Sequence, residues 1–113
     1  MSLKILRESL VSLGVPVYHY TAPSNTEPDY IVWAEDSGED FTAGNQHTEY
    51  AVSGSIDLYT MDEDNPMWMQ INDILNAVAL SWYYNSTQYD EETEIIHREW
   101  VFTCGILDDE RNK

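Results

Sequence analysis

Basic residues are what this sequence lacks most. Five Lys and Arg stand against 21 Asp and Glu, giving a formal net charge of −16. The five are confined to the ends, as Lys4, Arg7, Arg98, Arg111 and Lys113. Between Glu8 and His97 lie 90 residues with no Lys or Arg and 17 acids. Average usage would place roughly ten basic residues there. Salt bridges within the chain are therefore expected to be scarce, leaving most carboxylates to face water or a partner. Nucleic-acid affinity rests on Lys and Arg releasing counterions from phosphate, so direct DNA binding is disfavoured. An anionic membrane is disfavoured on the same ground.

Other shortages narrow the class. The lone Cys104 has no internal disulfide partner, which fits a reducing compartment. No apolar run approaches the ~20 residues needed to cross a bilayer, and no signal-peptide pattern leads the chain. No glycine-rich phosphate loop and no nucleophile elbow is present. His19, His47 and His97 are far apart, with no second ligand at zinc spacing, so no metal site and no cofactor are expected. Asp62, Glu63 and Asp64 lack the glycine and closing glutamate of a calcium loop, and Pro66 interrupts them. Cys104, on the apolar side of a strand pattern, reads as a buried inert thiol. Nothing nominates a catalytic pair, and the expectation is a protein that is not an enzyme.

Apolar residues at 42% and aromatics at 12% suffice for one core in 113 residues. Leu3, Leu6, Leu10 and Leu13 share one stripe, predicting a helix over 3–13 that stops at Gly14 before Pro16. Val15–Tyr20 reads as a short strand, and 21–29 as a loop. The unbroken apolar run from Tyr30 to Ala34 predicts a strand covered on both faces. From Thr48 to Thr60 the pattern alternates, with Tyr50, Val52, Gly54, Ile56 and Leu58 on one face. Such a strand would be about 43 Å long at ~3.3 Å per residue, so it must bend at Gly54 or project beyond the body; projection is favoured. Asn65 and Pro66 form a helix-start signature ahead of a stripe made by Met67, Ile71, Ile74, Leu75 and Val78, with Trp68 beside it. Strands at 81–89 and 94–104 follow, the last with Ile96, Trp100, Phe102 and Cys104 on one face, and 108–113 is a frayed tail. The order predicts one α+β domain: a largely antiparallel sheet of four to five strands, two helices on one face and a long projecting hairpin.

The acid admits three roles. It can keep the protein soluble, line a conduit through which DNA slides without sticking, or act as a DNA mimic or immunity-type inhibitor against a basic nuclease.

Three strings carry a resemblance. Tyr30-Ile31-Val32-Trp33 enters an acidic loop, Gly54-Ser55-Ile56-Asp57-Leu58-Tyr59-Thr60 precedes an acidic helix start, and His97-Arg98-Glu99-Trp100-Val101-Phe102 lies in the closing strand. With the N-terminal helix, the chain resembles small tail-terminator (tail-completion) proteins of long-tailed bacteriophages and prophages. The resemblance implies a non-catalytic virion protein, made in the host bacterial cytoplasm and resident in the tail. It implies a homo-oligomeric, hexameric ring on the end of the tail tube that stops tube polymerisation and forms the head-docking surface. Partners would be further copies of the chain, the tube protein and a head-completion protein, with DNA passing through unbound. Head-completion and neck proteins are built along similar lines and offer a second station. In the family a long hairpin is mobile in the free subunit and orders in the ring; its counterpart here is 35–49. The interface expected on that basis holds Glu35, Asp36, Glu39, Asp40, Phe41, Gln46, His47 and Glu49.

Overall fold

The structure is a computed structural model, and it describes residues 3–36 and 49–107. The element order is α1 (Leu3–Val11), β1 (Val17–His19), β2 (Tyr30–Glu35), β3 (Glu49–Thr60), α2 (Met67–Val78), β4 (Ser81–Asp90) and β5 (Ile95–Leu107). This is the α+β architecture the patterning predicts. The strands form one sheet in the order β1-β2-β3-β5-β4. Only the β1–β2 pair is parallel; the others are antiparallel.

The helices end where local chemistry stops them. α1 tightens after Val11, with Leu13 N–H donating to Leu10 O and Gly14 N–H to Val11 O. Gly14 then turns away at φ +90°, a conformation costly for any residue with a Cβ. At the start of α2, Pro66 already has helical angles (φ −66°, ψ −11°). Asn65 Oδ1 accepts the Met67 N–H at 2.9 Å, capping a donor that has no intrahelical partner. Its Nδ2 donates to Asp29 Oδ2 and to Thr60 Oγ1. Asn65 and Thr60 are both buried, so this one side chain ties the helix start to the end of β3 and to the loop before β2.

One core fills the space between the helices and one face of the sheet. Leu6 and Leu10 of α1 join Met67, Ile71, Leu75 and Val78 of α2 over Ile31, Trp33, Ile56, Leu58, Trp100, Phe102 and Cys104. Ile74 and Trp68 pack at its margin. Trp100 has no exposed surface, and its indole N–H donates to Asn72 Oδ1 at 2.7 Å. Gly54 serves a close approach: a Cβ there would meet Ala34 O at 2.2 Å and Phe102 Cζ at 2.7 Å. Burial raises the Cys104 thiol to about 11, consistent with an inert group.

One expectation needs correction. β2 is not covered on both faces: Ile31 and Trp33 are buried, whereas Tyr30, Val32 and Ala34 are half-buried on the face opposite the helices. On that open face Tyr59 stacks on Tyr30 in place of a second layer.

Candidate interaction surface

Among the described residues two strands outrun the rest. The β2–β3 pairing ends at Glu35↔Gly54 and the β4–β5 pairing at Ser81↔Thr103. The β3–β5 ladder continues through Val52↔Cys104 to Glu49↔Leu107. This two-stranded arm is the projection anticipated for the start of β3, with one difference. Its partner is the end of β5, which runs three residues beyond the predicted stop at Cys104. A two-stranded ribbon with no third strand is marginal in water unless it packs on something.

Of the residues expected at the interface, Glu35, Asp36 and Glu49 are among those described. Glu35 closes β2, and His19 Nε2 donates to its Oε1 at 2.6 Å. The His19 ring stacks on Trp33 at 4.0 Å and on Tyr20 at 4.2 Å. Desolvation, then the carboxylates of Glu35 and Asp36, push the Tyr20 phenol upward. Asp36 N–H donates to Ser53 O at 2.7 Å, so it extends the β2–β3 ladder by one bond. Glu49 opens β3 opposite Leu107. Glu39, Asp40, Phe41, Gln46 and His47 lie outside the described residues, as does the tail 108–113. The structure thus brings Glu35 and Asp36 together at the root and puts Glu49 at the far end of the arm.

The open sheet face carries groups that sequence reasoning left unassembled. Tyr18, Tyr30, Tyr59 and His97 form a cross-strand aromatic row: Tyr18 meets Tyr30 edge-on at 6.2 Å, Tyr30 stacks on Tyr59 at 4.6 Å, and Tyr59 on His97 at 4.4 Å. His97 Nε2 donates to Asp57 Oδ1 at 2.6 Å. Asp57 lies directly opposite Glu99 in the β3–β5 register. Two facing carboxylates repel, and each is held by a local donor, His97 for Asp57 and Asn85 Nδ2 for Glu99 (2.7 Å). Burial, then the charge of Asp57, raise the Tyr59 phenol to about 12, so it stays protonated at neutral pH. The row borders an open depression of about 320 Å³ lined by Tyr30, Tyr59, Gln88, Asp90, Ile95 and His97. The alternation in β3, which puts Asp57 and Tyr59 on the face away from the core, was the available signal. The partners on β2 and β5 depended on register.

The chain matches no protein-family model and no curated protein.

Electrostatically the surface follows its composition. Among the described residues the ion pairs are His19–Glu35 and His97–Asp57, and neither uses Lys or Arg. Arg98 is held on the helix side, 5.1 Å over the Trp68 ring, donating to Glu63 O and to the Tyr84 hydroxyl. Among the described residues no group of three or more His, Cys, Asp or Glu could hold a metal. What the surface offers is stacking, hydrogen bonding and a field of uncompensated carboxylates.

Proposed function

We propose that the chain is a structural subunit of the tail-terminator kind, which acts by packing against copies of itself and a virion component while its carboxylates keep passing DNA from adhering. The observation that carries this reading is the two-stranded arm, Glu49–Val52 against Cys104–Leu107, which among the described residues has no third strand to lie on. Such a ribbon gains by docking on a neighbour, as a subunit of a ring does. The charge supports the second half of the reading. DNA gains affinity from counterion release by cations, and a chain with five Lys and Arg against 21 Asp and Glu offers few.

The same charge opposes closure of a ring, and salt weakens that repulsion beyond a Debye length of about 8 Å at physiological strength. Sedimentation of the full chain at 0.05 and 0.5 M NaCl tests the reading. A ring-sized species that grows with salt, together with no retardation of DNA in a gel, is expected. Association that falls as salt rises, or retention of DNA at low salt, overturns it.

A further inference from the structure

We propose that the free outer edge of β4 is a self-docking strand, at which two copies of the chain join antiparallel about a two-fold axis through the Asn85–Ser86 bulge. Among the described residues β4 is a ten-residue edge strand, exposed along most of its length. It carries neither the proline nor the lysine that ordinarily discourages edge pairing, and a bulge and the terminal Asp90 are the devices it does have. The opposite edge, β1, has three residues and offers little ladder.

Charge selects the occupant. A second copy brings the same −16, so copies meet with least repulsion where carboxylates are absent. Ser81–Tyr89 is such a stretch, with nine uncharged residues, while acids resume at Asp90, Glu91 and Glu92. A basic partner would be drawn to those acids instead of to this edge.

Register follows from the bulge. Tyr84 pairs with Trp100 and Ser86 with Glu99, so Asn85 is the extra residue and shares one position with Ser86. With an axis through that position, Tyr84 faces Thr87 of the second copy, Tyr83 faces Gln88, Trp82 faces Tyr89 and Ser81 faces Asp90. Each pair falls on one face of the sheet: Trp82, Tyr84, Thr87 and Tyr89 share the helix side with Phe102, Trp100, Arg98 and Ile96, their partners on β5. No carboxylate meets another. Sliding the axis toward Asp90 would set acids face to face, and sliding it the other way runs into the end of α2 at Val78. This closed two-fold contact is separate from the head-to-tail contacts a ring requires.

Sedimentation of the full-length chain at 0.5 M NaCl tests it. The natural sequence should show a dimer, or a doubling of the ring-sized species where rings form. Tyr83→Asp with Gln88→Asp sets like charges opposite each other twice and should weaken dimerisation about tenfold or more. Tyr83→Asp with Gln88→Lys sets opposite charges there and should restore it. A natural chain that stays monomeric at ~100 µM, well above the Kd of ordinary specific contacts, overturns the proposal. So does a double-aspartate variant that dimerises as before, or a lysine variant without recovery. Rings that persist while the double-aspartate variant loses nothing would sink this contact and leave the ring reading standing.

Discussion

Gly54→Ala is the sharpest perturbation the structure offers. Gly54 lies mid-ladder, between Glu35 on β2 and Phe102 on β5. An added Cβ meets Ala34 O at 2.2 Å and Glu35 Cα at 2.9 Å, both backbone atoms that cannot swing aside. It also meets Phe102 Cζ at 2.7 Å, the end of a ring with almost no exposed surface. Relief requires β2 to part from β3, with loss of ladder hydrogen bonds at the root of the arm. Overpacking a core costs typically ~1–3 kcal/mol, and a backbone clash at this distance belongs at or above the top of that range. At roughly 4 °C per kcal/mol for a domain of this size, the melting temperature should fall by about 12 °C or more. Gly105→Ala supplies the control, since the atoms nearest its Cβ all belong to Leu80, Cδ1 first at 3.2 Å, a side chain that is 64% exposed. That variant should shift stability by less than ~1 kcal/mol. Thermal and urea denaturation followed by circular dichroism measure both. Equal, small shifts in the two variants would refute the close-packing account.

Four further outcomes are expected. Trp100→Ala should cost ~3–5 kcal/mol by urea denaturation, because it removes a fully buried ring and leaves Asn72 Oδ1 without its donor; a loss under ~1 kcal/mol would contradict its placement. Asn65→Ala should cost ~2–3 kcal/mol, combining a lost cap with buried Thr60 deprived of a partner, and an unchanged urea midpoint would refute the bridging role. Glu99→Gln should stabilise by ~0.5 kcal/mol at neutral pH, because it ends the cross-strand repulsion with Asp57; a loss above ~1 kcal/mol would show that Glu99 is held by more than Asn85. Finally, Cys104 is protonated more firmly when folded, so its contribution is complete below its ordinary value of 9.0 and is lost as pH rises through about 11. That loss amounts to at most ~3 kcal/mol. Stability of the natural chain should fall more steeply over that window than that of Cys104→Ala, and parallel slopes would refute the assignment.

The elements with a strong period were legible without coordinates. The leucine stripe of α1, the Asn65-Pro66 start of α2 and the alternation of β3 each rest on local chemistry that tertiary packing had no reason to override. The buried faces of β3 and β5 followed from the same alternation, down to Trp100 and Cys104. β2 misled because an unbroken apolar run reads alike whether its second face meets a layer or a row of tyrosines. The carry of β5 past Cys104 was hidden because its cause is the pairing of Gly105–Leu107 with the start of β3, residues some fifty positions away in sequence. The aromatic row was hidden for the same reason: Tyr30, Tyr59 and His97 become neighbours only through register. Of the expected interface, Glu35 and Asp36 proved to be tied into local bonds, to His19 and to Ser53, a detail no spacing rule carries.

The pairing of Glu49 with Leu107 has a practical corollary. The stretch entering β3 and the stretch leaving β5 depart from the same tip, so anything fused after Lys113 is tethered within a few residues of the acidic segment that precedes Glu49. Affinity handles and fluorophores for assembly assays therefore belong ahead of α1, which is no part of that ladder. A carboxyl-terminal handle that halts assembly, where an amino-terminal one does not, would report on that tip directly.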